Sequence, residues 1–280
     1  MQLVTESIEF PTGRTTALAY RVRPEPAGAA LPAVVLVQEI WGMDAHIRDL
    51  ARRFARAGYL ALAPDLYAPG GRRPPELEEE RILQAKRFLD GIPPSSWWDD
   101  AARTAALAEL PQPERDALTG TFAGLLEPRD TAALVAMLRD AVSFARADTG
   151  CSGKVGSVGW CNGGALSARL ACAEPDLGAA VVFYGASPGL DELSGLSCPV
   201  LGFYGGEDPQ ITDSVPSFAG AMRAAGKSYE WHVYAGVHHA FFNDTRRAYD
   251  VDAARHAWAR TLTFLEERLA GAAGERGATS

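Results

Sequence analysis

Cysteine is scarce in this chain: four in 280 residues, Cys151, Cys161, Cys172 and Cys198, scattered and without a CxxC pair. That excludes a disulfide framework, points to a reducing compartment, and leaves no Cys/His cluster with the spacing of a zinc site. No run approaches the ~18 apolar residues of a membrane span. Met1–Phe10 lacks the basic start and apolar centre of a secretory signal. Positive charge is also in deficit, 27 Lys and Arg against 35 Asp and Glu; the net charge of −8 argues against general affinity for nucleic acid or anionic membranes. Internal repeats and low-complexity tracts are absent. The expectation is a cytoplasmic protein, monomeric or homodimeric, with no metal, no cofactor, no membrane and no nucleic-acid partner.

What is present is an ordinary globular composition, 47% apolar and 22% charged, on a chain long enough to bury a substantial core. Residues 2–10 and 16–22 read as two strands around a turn. AVVLVQ (33–38) is a continuous apolar run of the kind that forms a buried strand, and YLALAPD (59–65) is another, ended by Pro64. Between them 44–57 has helical spacing (Ile47, Leu50, Ala51, Phe54) and stops at Gly58. Further helices are expected over 76–90, 129–147, after 162, and over 246–270, with strands at 154–160, 179–184, 199–204 and 229–234. This alternation predicts an α/β fold: a mostly parallel sheet with helices on both faces, one domain over 1–270. The segment 91–127 is broken by Pro111, Pro113 and Gly120. It reads as a helical, cap-like insertion over one edge of the pocket, and 271–280 as a flexible tail.

In such a sheet ligands bind at the C-terminal strand ends. There VGWCNGG (158–164) sets Cys161 between Gly159 and Gly163, a G-x-C-x-G that matches the G-x-S-x-G nucleophile elbow with sulfur for oxygen. The glycines admit a strained turn that a side chain at either flank would block. The following helix aims its N-terminus at the thiol, which favours a thiolate and a developing oxyanion. An elbow calls for an acid and then a histidine after later strands. PVLGFYG (199–205) runs into Glu207-Asp208, and YEWHVYAG (229–236) into His238-His239. Neighbouring residues at a strand end point opposite ways, so one of each pair should face the site. Asp208 and His239 are favoured; Glu207 and His238 remain alternatives.

Glu39 closes the first apolar strand, where a carboxylate is costly unless paired or wet. Either it is salt-bridged to Arg48 or Arg52, or it faces Cys161 and takes or holds the thiol proton. The loop after that strand also commonly supplies an oxyanion donor, here the N–H of Ile40, with Asn162 as the second.

Together these residues resemble the dienelactone hydrolase family, a branch of the α/β-hydrolases. The matching pieces are Gln38-Glu39-Ile40-Trp41-Gly42, Ala63-Pro64-Asp65-Leu66-Tyr67, Gly159-Trp160-Cys161-Asn162-Gly163-Gly164, Tyr184-Gly185, Gly206-Glu207-Asp208 and His239-Ala240-Phe241, in family order. The resemblance implies a Cys161–His239–Asp208 triad, a Glu39 that accepts the thiol proton when substrate binds, and an oxyanion hole at Ile40 and Asn162. The family pattern H-x-F selects His239 over His238. Where the family carries an arginine that grips the substrate carboxylate, this chain has Asn243; a second family arginine falls near Arg81. Arg81, Asn243, Trp98 and Trp160 are the expected substrate contacts.

The leading expectation is a hydrolase of small esters or lactones acting through an acyl-enzyme. A thioesterase or broader carboxylesterase is the alternative within hydrolases. A non-catalytic ligand-binding α/β protein requires a missing triad member, and a thiol-transfer protein requires a resolving cysteine.

Overall fold

The computed structural model describes residues 1–13, 15–25, 30–93, 96–97 and 99–269. Trp98 and the tail 271–280 lie outside them.

Two long strands, β1 (Gln2–Thr12) and β2 (Thr15–Glu25), form an antiparallel hairpin. Then strand and helix alternate: β3 (Leu31–Val37), α1 (Ala45–Arg56), β4 (Leu60–Pro69), α2 (Glu79–Asp90), α3 (Asp100–Ala108), α4 (Gln112–Leu126), α5 (Thr131–Ala147), β5 (Cys151–Trp160), α6 (Asn162–Ala173), β6 (Ala179–Phe183), β7 (Val200–Gly205), α7 (Pro209–Thr212), α8 (Val215–Ala224), β8 (Tyr229–Tyr234) and α9 (Val251–Leu269). The sheet order is β1-β2-β4-β3-β5-β6-β7-β8, with β1, β2 and β4 paired antiparallel and every later pair parallel.

Strand period sorts the core. Val35 and Val37 face one apolar cluster with Leu138 and Val142 of α5, Leu170 of α6 and Met222 of α8. Val34 and Leu36 face another with Ile47 and Phe54 of α1 and Ala257 and Phe264 of α9. Strand β3 lies between β4 and β5, so the chain reverses its progression across the sheet there. Such a switch point opens a crevice at the strand C-termini, and the loops after β3 and β5 meet in it.

Three boundaries differ from the sequence reading. Strand β4 does not end at Pro64 but runs to Pro69. Pro64 lies opposite Ala19 where the β2–β4 register shifts, a bulge that tolerates a residue without an N–H. Helix α9 starts at Val251, five residues later than expected, because Asp250 turns back to accept from Ala253 N–H. The 91–127 segment is more than an excursion. Leu107, Leu118, Phe122 and Leu125 pack with Ile82 and Leu89 of α2 and with Trp41 and Tyr67, making a third apolar cluster. Its prolines do not break a helix; Pro111 and Pro113 stand at the start of α4, where the missing N–H has no cost.

Candidate active site

Cys161 sits between β5 and α6 with φ +56° and ψ −121°, one of three non-glycine residues with positive φ among the described residues. Its backbone N–H donates to Phe183 O, and its carbonyl accepts from Gly164 and Ala165. The flanking glycines are obligatory. A Cβ on Gly159 would lie 1.9 Å from Gly163 O, and one on Gly163 would lie 2.2 Å from Val37 O. The turn is therefore pressed between its own helix and the end of β3, which holds the thiol at the positive end of α6.

Asp208 follows β7 and His239 follows β8. His239 Nδ1 and Asp208 Oδ2 are 2.6 Å apart, while Glu207 and His238 are exposed. Burial disfavours the imidazolium, but the hydrogen bond to Asp208 and the Cys161 sulfur outweigh it and raise His239 to about 10. His239 Nε2 is buried and has no hydrogen-bond partner. The next residue, Ala240, is again forced to positive φ, +62°, so both sides of the crevice carry backbone strain.

Glu39 is 3% exposed. Tyr184 Oη donates to its Oε1 (3.1 Å), and Asn243 Nδ2 donates to its Oε2 (2.6 Å). Asn243 is itself oriented, because its Oδ1 accepts from the N–H and hydroxyl of Thr245. Burial, and then the neighbouring charges at Glu39 and Cys161, push the Tyr184 phenol well above its ordinary value and keep it a donor. The salt-bridge alternative for Glu39 is not what forms: Arg48 pairs with Glu79, and Arg52 reaches the Tyr20 hydroxyl.

The QEIWG and APDLY stretches are tied to one another. Leu66 N–H donates to Gln38 Oε1, Tyr67 Oη donates to Ile40 O, and Arg73 bridges Asp65 and Met43 O. No acceptor is found among the described residues for the backbone N–H of Ile40 or of Asn162. Both residues line a pocket of about 440 Å³ with Cys161, Tyr67, Leu125, Leu126 and Arg129.

Residues 18–269 match the dienelactone hydrolase family. The chain belongs to the dienelactone hydrolase family. That places it among the carboxylic ester hydrolases, on an α/β-hydrolase fold. A Saccharolobus solfataricus protein bearing the name carboxymethylenebutenolidase is 34% identical over 235 residues, 83% of this chain and 88% of the relative. An Escherichia coli K12 protein of the same name is 31% identical over 260 residues, 89% of this chain and 82% of its own. The crystal structure of a Klebsiella pneumoniae protein that bears the name dienelactone hydrolase superposes with a TM-score of 0.70 at 29% identity, covering 95% of this chain and all of that one.

Within this dienelactone hydrolase family member, Cys161, Ile40, Asn162, Glu39, Asp208 and His239 converge at one end of the sheet. The expected substrate contacts fare differently. Trp160 is fully buried and stacks on Phe183 and Phe242 in the core, because β5 points it away from the crevice. Asn243 does not line the pocket either; it is 0% exposed and spends its amide on Glu39. Arg81 lies on α2 and, among the described residues, makes no hydrogen bond to the groups around Cys161. Trp98 is outside the described residues. Sequence reading missed Arg129, whose guanidinium stacks over Tyr67 at 4.3 Å beside Cys161. No motif surrounds it, and only the folding of α4 onto Tyr67 brings it there. Tyr184 was visible within Tyr184-Gly185, without a role. Among the described residues no group of three or more His, Cys, Asp or Glu is placed to hold a metal, and no helix is long and apolar enough to cross a membrane.

Proposed function

We propose that the chain hydrolyses a small ester or lactone by nucleophilic acyl transfer from Cys161, with His239 and Asp208 completing a triad. The observation that carries this reading is the left-handed Cys161 at the N-terminus of α6, with the His239–Asp208 pair beside it. Glu39, held by neutral donors only, takes the thiol proton as substrate enters. The thiolate attacks the acyl carbon, and the N–H groups of Ile40 and Asn162 stabilise the oxyanion. His239, whose protonated form is favoured by the Asp208 hydrogen bond and by the Cys161 thiolate, gives its proton to the leaving alkoxide. Now neutral, it deprotonates the water that releases the acid, and Glu39 returns its proton to the departing thiolate. Arg129 stacks on Tyr67 and donates to the carbonyls of Gly124, Leu125 and Glu127, so it braces the pocket wall at the end of α4. The protein acts in the cytoplasm, as one domain over 1–270, monomeric or homodimeric, without membrane or nucleic-acid partner.

The test is a hydrolysis panel of a carboxylated dienelactone, an uncharged lactone and aryl esters, run on wild type and Cys161→Ala together. A loss of at least about 10³-fold in kcat/KM is expected for Cys161→Ala. Equal rates in the two proteins would remove Cys161 from the mechanism.

A further inference from the structure

Beside the Cys161 pocket lies a second, smaller space of about 30 Å³, walled by Trp41, Leu89, Trp97 and Phe122, with Leu125 and Leu126 from the last turn of α4. Ile40 closes it on the crevice side, and Ile40, Leu125 and Leu126 also line the pocket of Cys161. The two spaces therefore share a wall made by these three side chains. The small space offers nothing for water to bind. Trp97 Nε1 already donates to Leu89 O at 2.9 Å, within the wall itself. Its walls are also held in place. Arg246, its side chain 3% exposed, lies over both Trp41 (5.2 Å) and Trp97 (4.7 Å) and pairs with Asp90. Arg103 donates to Trp97 O and covers the Phe122 ring. Close-packed interiors hold few voids of this kind, and this one shares its wall with the pocket of Cys161.

We propose that the 91–127 insertion is a specificity element, and that this pocket takes the acyl arm of an aliphatic ester one or two carbons longer than acetyl. The inference rests on the acyl-transfer reading of Cys161. The assignment to the acyl arm follows from where the proton donor stands. The departing alkoxide must face His239, which protonates it, and His239 lines neither space. The group reaching past Ile40 toward Leu125 is therefore the one that stays bonded to sulfur in the acyl-enzyme. With the oxyanion on the Ile40 N–H, the acyl chain needs only to pass the Ile40 side chain to enter. About 30 Å³ holds one or two carbons, and each methylene buried there raises kcat/KM roughly fourfold.

The experiment is a chain-length series of p-nitrophenyl esters, acetate to octanoate, on wild type, Phe122→Ala and Leu126→Trp, reading each protein's kcat/KM relative to its own acetate value. For wild type the ratio is expected to rise to propionate or butyrate and to fall by hexanoate. Phe122→Ala enlarges the pocket and should move the optimum to hexanoate or beyond. Leu126→Trp, at a position 39% exposed that tolerates bulk, should fill the small space from its shared wall and bring the butyrate ratio down to about that of acetate. It decides the matter if Phe122→Ala fails to fold. Cys161-dependent turnover with a chain-length profile unmoved in Leu126→Trp would overturn the subsite alone. No ester turnover in wild type would overturn both the subsite and the acyl-transfer reading.

Discussion

Both oxygens of Glu39 accept from neutral donors, Tyr184 and Asn243. A buried carboxylate held this way has its geometry fixed by two hydrogen bonds, while the Arg246 guanidinium feels its charge without bonding to it. Asn243→Ala removes the 2.6 Å bond and leaves a buried charged oxygen unpaired; a loss of about 2 kcal/mol is expected in denaturant unfolding. Asn243→Asp sets a second carboxylate against the first, so one of the pair must hold a proton. kcat/KM should then fall, and an unchanged kcat/KM would show that the Glu39 carboxylate takes no part in the reaction. His239 provides the pH signature of the fold. Its value of about 10 in the native protein exceeds the ~6.5 of an unfolded chain. Folding therefore favours the protonated form: the contribution to stability is complete below about pH 6.5 and is lost as pH rises toward 10. Melting curves from pH 6 to 10 should show a decline in wild type that is shallower in His239→Asn.

At the scale of elements, the elbow and the insertion respond in opposite ways to one added methyl group. Gly163→Ala drives a Cβ to 2.2 Å from Val37 O and 2.4 Å from Gln38 O, both backbone atoms that cannot move without displacing β3. A destabilisation above about 3 kcal/mol is expected, or no soluble protein. Gly120 is in α4, and a Cβ there meets nothing within 4 Å. Gly120→Ala should therefore raise stability by about 0.5–1 kcal/mol through helix propensity. Equal effects from the two substitutions, read by denaturant titration, would contradict the close approach of α6 to β3. The insertion is tied to the rest of the chain by Arg246, which comes from the segment just after His239 and reaches Trp97 and Asp90. Through that one guanidinium the histidine loop and the wall of the pocket share a support.

Across the whole molecule, the sheet is covered on both faces, and the two clusters have only the strands in common. Phe54 on one face and Leu138 on the other are both fully buried. Phe54→Ala and Leu138→Ala should each cost about 3–5 kcal/mol and shift one common thermal transition, because neither layer can stay packed without the shared strands. Two resolved transitions by calorimetry would show that the faces unfold separately. The crevice lies where this sheet reverses order, so the stability of both faces underwrites the placement of the loops after β3 and β5.

Local signals were enough for some of this. Strand and helix order, the elbow glycines and the carboxylate after β3 were legible because each depends on neighbours in sequence: period-2 burial, a strained turn, a charge ending an apolar run. Choosing His239 over His238 rested on resemblance, and the pairing of His239 with Asp208 is a contact across 31 residues. Other features were decided only by tertiary structure. Trp160 adjoins the thiol in sequence, yet strand alternation turns it into the core. Asn243, at a position where a substrate contact was expected, is directed to a carboxylate 204 residues away. Arg129, between α4 and α5, and the Phe122, Leu125 and Leu126 walls of the small apolar pocket are placed by a segment whose composition promised only an irregular excursion. Their positions depend on which side of the crevice α4 folds over, and packing between segments distant in sequence, not local propensity, settles that.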